Sequence, residues 1–327
     1  MDSLKLNAKI YAKSALCKDQ LACKASIGCD GIEIQLLSEL VNGKIGSYHD
    51  AEDVFYLYSF RDYNIEAVHA PILSQYGLAD VTLEDFVDDD IVFLEQVFKI
   101  AEYFGNRDNK MVPVIVHSET NTRVMKCVGD TWKRVVSYVG YLLFKYPHTE
   151  LLIENVTPCR GKEGNLTFCN NFKFDNVDMV DLLRDELRTD RIGTVLDICH
   201  AKISAMYAEA VYALMPERIP EDLSLDNYFR ENKGYIKLIH LSDMKGSGYG
   251  KGRHGTKLCE ENRDFVEEII KLYNKYGYTC PITLEIEESN LLVCDNYRES
   301  KRIIDEYRKG ALSVRDEEEH SDIMDVF

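Results

Sequence analysis

The 327-residue sequence has no long apolar segment and few prolines. Its apolar runs are short and broken by charged residues, so none approaches the roughly 20 residues that a membrane-spanning helix needs. The N-terminus, MDSLKLNAKIYAKSALCKDQ, lacks the apolar core of a secretory signal peptide. No segment rich in Pro, Gly or Ser marks a linker between domains, and 45% hydrophobic and 29% charged residues are typical of a folded chain. We therefore expect a globular cytoplasmic protein.

Basic residues are also scarce. The chain has 39 Lys and Arg against 56 Asp and Glu, which gives a formal net charge of −17. Proteins that bind nucleic acid or anionic membranes through phosphates usually present a basic face, and this composition leaves little to build one. Part of the acidity belongs to residues 311–327, which we predict to be a solvated tail beyond a domain of residues 1–310. Composition therefore argues against a nucleic-acid or membrane partner.

The ten cysteines include no CxxC pair. Cys17, Cys23 and Cys29 recur every six residues, a spacing that is not typical of a small disulfide-rich domain or of a zinc ribbon. In a chain of this length, we predict reduced and mostly buried thiols.

What the sequence does contain is a regular alternation of eight short apolar runs with longer segments of helical periodicity. The runs are LNAKIYA, GIEIQLL, NIEAVHA, MVPVIVH, TELLIENV, IGTVLDI, YIKLIHL and PITLEIE. The segments between them, such as DIVFLEQVFKIAEYF, have apolar residues at helical spacing. This alternation predicts parallel strands joined by helices, and eight pairs predict a single (β/α)8 barrel. An open doubly wound sheet is the alternative.

Imidazoles and carboxylates stand where most of these strands end, which is the end of such a barrel that holds the active site. They are, from the third strand to the eighth, His69, His117, Glu154, Asp197, His200, His240 and Glu285. Any one of them could be an ordinary hydrogen-bonded residue, but so many could not be buried together unpaired at tolerable cost. A divalent metal ion resolves the conflict, because neutral imidazole and ionised carboxylate are its natural ligands.

These motifs resemble those of the xylose isomerase-like barrels, a superfamily that includes sugar isomerases, sugar epimerases and endonuclease IV. The resemblance extends from CDGIEIQLL to PITLEIE. In the isomerase and epimerase branch, one divalent ion is held from strands five to eight, at positions that correspond here to Glu154, Asp197, His240 and Glu285. This branch implies that Glu154 and Glu285 transfer protons and that His200 acts beside them.

Four further residues are predicted to bind substrate. Lys245, Arg253 and His254 lie in the loop after the seventh strand, and Glu33 belongs to the DGIEI motif of the second. Glu33 occupies the place that the isomerase branch implies, but it can equally be a carboxylate tied into the barrel interior by a basic neighbour.

In the endonuclease IV branch, three zinc ions are held by a larger set, matched here also by His69, His117, His200 and His254. Gly252 stands where that branch has an aspartate, which leaves a third ion poorly supplied with ligands. Two metal positions remain fully supplied, with Glu154 available to bridge them.

Three functions follow from these residues. The first is a divalent-metal-dependent isomerase or epimerase of a sugar or sugar phosphate, in which the ion stabilises an enediolate. The second is a zinc-dependent phosphodiester hydrolase such as an abasic-site endonuclease, which His69 and His117 favour, whereas the net charge and Gly252 oppose it. The third is a barrel that only binds a metal or a ligand. We favour the first, with one to three ions of Zn or Mn and a small carbohydrate substrate. The sequence is compatible with a homo-oligomer.

Overall fold

Eight parallel strands form a closed barrel in which the first strand pairs with both the second and the eighth. The computed structural model describes residues 4–36, 57–71, 88–117, 130–156, 159–160, 166–167, 173–206, 222–245 and 253–310. The strands are β1 (Ile10–Ala15), β2 (Gly31–Gln35), β3 (Ile65–His69), β4 (Val112–His117), β5 (Thr149–Glu154), β6 (Ile192–Asp197), β7 (Ile236–Leu241) and β8 (Ile282–Leu284). The predicted (β/α)8 barrel is therefore confirmed, and closure excludes the open sheet.

Eight α-helices have both ends in the described part of the chain, and a 3-10 helix, Glu260–Asn262, precedes the seventh of them. The α-helices are α1 (Lys18–Ala25), α2 (Asp88–Asp108), α3 (Asp130–Lys145), α4 (Lys173–Leu187), α5 (Ile198–Met206), α6 (Leu225–Glu231), α7 (Arg263–Lys275) and α8 (Asp295–Lys309). All but α6 coincide with predicted helical segments, and the segment predicted after β2 lies mostly outside the described residues. The sequence did not indicate α6, whose N-terminus is capped by the Ser224 side chain. None of the described helices is long and apolar enough to cross a membrane.

Two short antiparallel hairpins extend from the barrel and were also not predicted. One pairs Cys159–Arg160 with Leu166–Thr167, and the other pairs Asp243–Lys245 with Arg253–Thr256. At the other end of the chain, α8 stops at Gly310, whose φ of 66° is the left-handed conformation that favours glycine. Residues 311–327 lie outside the described residues, so the acidic tail stays a prediction.

The barrel interior is layered, because side chains two residues apart on a strand point to the same side. One layer is a small apolar cluster with one residue from each of six strands: Tyr11, Ala67, Ile115, Leu152, Val195 and Leu238. Two residues further along the same strands stand Lys13, His69, His117, Glu154, Asp197 and His240. The apolar layer is therefore the floor beneath a layer of ionisable side chains at the C-terminal end of the barrel.

One pair of cysteines corrects the sequence-based prediction of reduced thiols. Cys23 on α1 and Cys294, which immediately precedes α8, form a disulfide bond. The two residues are 271 positions apart in the chain, so no local spacing could have indicated the pair. Of the free cysteines that the structure describes, Cys199 and Cys259 are buried as predicted, whereas Cys29 and Cys280 are half-buried and Cys17 is exposed.

Candidate metal centre

The strand register brings the predicted ligands together. His117 is paired with Glu154 across β4 and β5, and Asp197 is paired with His240 across β6 and β7. The six predicted ligands form two groups in which the ligand atoms lie within 4.8 Å of one another. The first group is His69, His117 and Glu154, and the second is Glu154, Asp197, His240 and Glu285. The predicted convergence of these side chains at one end of the barrel is confirmed, whereas ligation itself stays a prediction.

Glu154 is shared by the two groups and turns one oxygen toward each. Its Oε2 lies 2.9 Å from Nε2 of His69 and 3.9 Å from Nε2 of His117, while its Oε1 lies 3.4 Å from Nδ1 of His240. Burial raises the pKa of the Glu154 carboxyl, but His240 lowers it more, so the pKa lies well below its usual range. Glu154 is therefore an anion placed to join two neighbouring cation positions.

The contacts of His69 indicate that a cation fits the first group. Its Nδ1 lies 2.8 Å from the carbonyl oxygen of Ala70, which can only accept, so Nδ1 carries a proton. Burial lowers the pKa of His69 and the Lys13 ammonium lowers it further, which favours the neutral ring. The lone pair of Nε2 then faces the anionic Glu154 Oε2 at 2.9 Å. Two electron-rich atoms at this distance require a proton or a metal ion between them.

His240 has the complementary arrangement in the second group. Its Nε2 lies 2.9 Å from Oε2 of Glu33, and because a carboxylate accepts, Nε2 donates. Its Nδ1 lies 3.0 Å from Oε2 of Glu285 and 3.4 Å from Oε1 of Glu154. Burial lowers the pKa of His240, but Glu33 and Glu154 raise it well above the usual value. The position next to Nδ1 therefore attracts positive charge, which a proton or a divalent ion can supply.

Glu33 lies behind His240 rather than at the open mouth of the barrel. Its side chain is completely buried, and Oε2 also accepts a hydrogen bond from Oγ1 of Thr283 at 2.8 Å. Lys13 on β1 lies 3.4 Å from Oε1 of Glu33. This arrangement corresponds to the second of the two sequence-based interpretations, a carboxylate tied into the interior by a basic neighbour.

Lys13 is a residue that the sequence analysis missed. Its Nζ also lies 2.8 Å from Oε1 of Glu285, and its side chain is only 9% exposed. Burial lowers the pKa of Lys13, but Glu285 and Glu33 outweigh this effect and raise it, so the ammonium form is favoured. The available signal was its place two residues after Tyr11, which predicts an inward side chain in the ligand layer.

The ligand layer contains an excess of buried negative charge. The carboxylates of Glu33, Glu154, Asp197 and Glu285 are at most 13% exposed, and among the described side chains Lys13 supplies the ammonium that contacts two of them, Glu33 and Glu285. Isolated buried carboxylates are costly, and even a protonated His240 together with Lys13 supplies only two positive charges against these four carboxylates. A divalent ion, held by oxygen and imidazole nitrogen donors, fits both this charge and this donor set.

Asn155, which follows Glu154, positions the end of β6. Its side chain donates from Nδ2 to the Asp197 carbonyl oxygen at 3.0 Å, and its Oδ1 accepts from the Asp197 backbone N–H at 2.8 Å. Its own carbonyl oxygen accepts from Nδ1 of His200 at 2.8 Å, which leaves Nε2 as the acceptor atom of a neutral His200 ring. His200 belongs to neither ligand group, and its predicted catalytic role stays a prediction.

Of the predicted substrate-binding loop, residues 246–252 lie outside the described residues, and the three predicted substrate-binding residues at its ends are described only in their backbone. Lys245 and Arg253 are paired across the second hairpin, and His254 follows in the same strand. The side chains of these three residues, and all of Gly252, lie outside the described residues. Their roles therefore stay predictions. His148 lies elsewhere, before β5, where its Nδ1 contacts Oε1 of Glu102 at 2.8 Å.

Comparison with known proteins agrees with this architecture. Residues 22–310 match the family model described as the xylose isomerase-like TIM barrel. Among solved structures, 3-keto-D-glucoside 4-epimerase YcjR from E. coli is 13% identical with a TM-score of 0.53, over 92% of this chain and 99% of that chain. D-psicose 3-epimerase from Clostridium cellulolyticum H10 is 14% identical with a TM-score of 0.53, over 92% and 98% of the two chains.

A third similar structure, the IOLI protein with a bound zinc atom, is 13% identical with a TM-score of 0.50, over 91% of this chain and 96% of that chain. Among curated protein sequences, none matches this chain. Identities this low demonstrate a shared fold and no more. The family model, by contrast, covers most of the chain and includes every strand from β2 to β8. The chain therefore belongs to the xylose isomerase-like TIM barrel family.

Proposed function

We propose that this protein is a divalent-metal-dependent isomerase or epimerase of a sugar or sugar phosphate. The observation that carries the proposal is the group of Glu154, Asp197, His240 and Glu285 around one position at the barrel mouth. Family membership and the similarity to structures named as keto-glucoside and psicose epimerases support a small carbohydrate as substrate. The bound ion would supply positive charge next to the substrate carbonyl and its neighbouring hydroxyl, which lowers the cost of an enediolate.

Glu154 and Glu285 are the residues that we assign to proton transfer. Each has one oxygen near Nδ1 of His240 and a second oxygen engaged elsewhere. The second oxygen of Glu285 contacts the Lys13 ammonium, which holds the carboxylate in place, and an ionised carboxylate can accept a proton from carbon. The second oxygen of Glu154 lies 2.9 Å from His69 Nε2, an acceptor that can share a proton held there.

His200 is assigned to a substrate hydroxyl. Because its Nδ1 donates to Asn155, its Nε2 is the atom that can accept a hydrogen bond from substrate, and the residue is 7% exposed. We also assign Lys245, Arg253 and His254 to substrate binding, on the basis of the sequence alone; the first two can only donate hydrogen bonds.

Exchange of carbon-bound hydrogen with solvent tests the proposed reaction. The sugar loses a proton from carbon to form the enediolate, and the enediolate regains one from a carboxylate that has exchanged with solvent. The protein incubated in D2O with ketoses, aldoses and their phosphates should therefore incorporate deuterium next to the carbonyl of one of them. Proton NMR of the sugar measures the incorporation, and a chelator-treated sample is the control. Absence of exchange across the panel, together with cleavage of a phosphodiester or an abasic-site DNA duplex, would contradict the proposal.

A zinc-dependent phosphodiester hydrolase is the second candidate, and the first ligand group favours it. This group consists of His69, His117 and Glu154, and a one-ion isomerase does not require the two histidines as ligands. Because Glu154 belongs to both groups, two ions could be bridged as in two-metal hydrolases. The net charge of −17 argues against a nucleic-acid substrate, although not against a small phosphodiester. The number of ions, their identity as Zn or Mn, the cytoplasmic location and a homo-oligomeric state all stay predictions.

Replacement of His117 by alanine distinguishes the two candidates. We expect His117→Ala to leave the number of bound ions per chain unchanged and to lower turnover by up to about 100-fold, through weaker substrate positioning. Elemental analysis of the purified variant measures the ion count. The matched control is His148→Ala, which removes a histidine that contacts Glu102 away from the ligand groups and should alter neither quantity. Loss of one ion per chain from His117→Ala, with nearly all activity, would instead support the hydrolase.

A further inference from the structure

Two interior side chains that belong to neither ligand group connect two of the predicted ligands. Glu33 Oε2 lies 2.9 Å from His240 Nε2, and Glu33 Oε1 lies 3.4 Å from Lys13 Nζ. Lys13 Nζ lies 2.8 Å from Glu285 Oε1, and Glu285 Oε2 lies 3.0 Å from His240 Nδ1. The four side chains therefore form a closed ring of contacts, in which the edge between His240 and Glu285 faces the candidate metal position.

The ring determines which ligand atoms are presented to an ion. The proton that His240 donates to Glu33 must be on Nε2, so Nδ1 is the nitrogen that remains for coordination. The Lys13 ammonium occupies Oε1 of Glu285, so Oε2 is the oxygen turned toward His240 and the candidate position. Without these two contacts, the imidazole could reverse its tautomer and the carboxylate could rotate.

We propose that Glu33 and Lys13 are positioning residues of the metal centre: Glu33 sets the tautomer and orientation of His240, and Lys13 holds Glu285 so that a single oxygen faces the ion. The inference rests on metal binding in the proposed function. Glu33 is fully buried behind His240, so it acts through this ligand rather than by contact with substrate. Groups that hold metal ligands in this way typically change metal affinity about 10–100-fold when they are removed.

Glutamine at position 33 is an informative replacement because an amide has one oxygen where a carboxylate has two. Glu33 accepts from His240 and Thr283 through Oε2 and contacts Lys13 through Oε1. The amide oxygen can accept either from His240 or from Lys13, but not from both. The NH2 group would then face the other of these two donors. Removal of the lysine ammonium from this variant should free the amide oxygen to accept from His240.

The test compares zinc affinity among Glu33→Gln, Lys13→Met, the double variant and a matched control. The control is Glu66→Gln on β3, which removes another carboxylate paired with a lysine, Lys110 at 3.2 Å, outside the ligand groups. Metal-free protein is titrated with Zn²⁺ against a chelating dye, the Co²⁺ absorption spectrum reports ligand geometry, and circular dichroism checks folding. We expect Glu33→Gln and Lys13→Met each to lower zinc affinity, by about 10–100-fold, and to alter the Co²⁺ spectrum.

Glu66→Gln should bind zinc with an affinity within about twofold of the wild-type value. The double variant should recover part of the zinc affinity that Glu33→Gln loses. A residue that only stabilised the fold would not produce this recovery. If Glu33→Gln does not fold, Glu33→Asp replaces it, since it keeps the charge but withdraws the carboxylate from His240, and the same loss is expected. The inference is overturned if Glu33→Gln binds zinc as tightly as Glu66→Gln does. It is also overturned if the double variant binds zinc no more tightly than Glu33→Gln. A wild-type chain that binds no ion overturns the proposed function as well.

Discussion

Glu154→Gln is expected to abolish activity, with a loss of at least about 10²–10⁴-fold. The carboxylate is shared by both ligand groups, and each of its oxygens faces a different histidine. An amide at this position has no negative charge to offer an ion and cannot accept a proton from carbon. The loss is expected for the isomerase and for the hydrolase alike, because both require this anion. Steady-state turnover and metal content, measured on the same preparation, check the prediction.

The same substitution elsewhere on β5 is the matched control. Glu150 precedes Glu154 by four residues and pairs with Lys237 at the opposite end of the strand. Glu150→Gln should therefore keep its metal and its turnover while losing a little stability, as expected for one partly exposed ion pair. Full activity of Glu154→Gln would show that this ligand layer is not the active site.

Removal of the metal is expected to abolish activity and to lower thermal stability. In the chelated protein, the carboxylates of Glu33, Glu154, Asp197 and Glu285 are left with Lys13 as the nearby ammonium. An ion that binds only the folded chain stabilises it by about 4 kcal/mol at a concentration about a thousand times its Kd. Thermal melts and turnover, recorded before and after addition of Zn²⁺ or Mn²⁺, measure the two effects.

A variant without a ligand provides the comparison for this experiment. Asp197→Asn removes one carboxylate of the second group, so its melting temperature should respond less to added ions than that of the wild-type protein. Chelated wild-type protein that keeps its turnover and melting temperature would contradict metal dependence in both candidate functions.

The positions of the predicted ligands could be read from the sequence because a barrel strand has a simple period. Apolar residues at Leu152 and Val195 mark the inward side, and the next inward positions are Glu154 and Asp197. The C-terminal ends of all parallel strands meet at one end of the barrel, so polar residues there were expected to converge. This reasoning needed no knowledge of distances.

The same reasoning could have identified Lys13, but a lone lysine in an apolar strand is not informative until its neighbours are known. Its partners Glu33 and Glu285 belong to β2 and to the residue after β8, which become adjacent to β1 only when the barrel closes. Asn155 is a similar case, because its role depends on the backbone of Asp197, 42 residues away. The Cys23–Cys294 disulfide joins two segments that closure also brings together.

The sequence by itself determined the number of strands, the barrel and the set of ionisable residues at its C-terminal end, because these depend on local periodicity and on the order of elements along the chain. Only the tertiary structure decided that Glu154 faces both ligand groups, that His240 presents Nδ1 and that Glu33 lies behind it. These features depend on strand register, rotamers and hydrogen-bond partners from distant segments. Contacts of that kind exist only after the chain has folded, so no local pattern in the sequence encodes them.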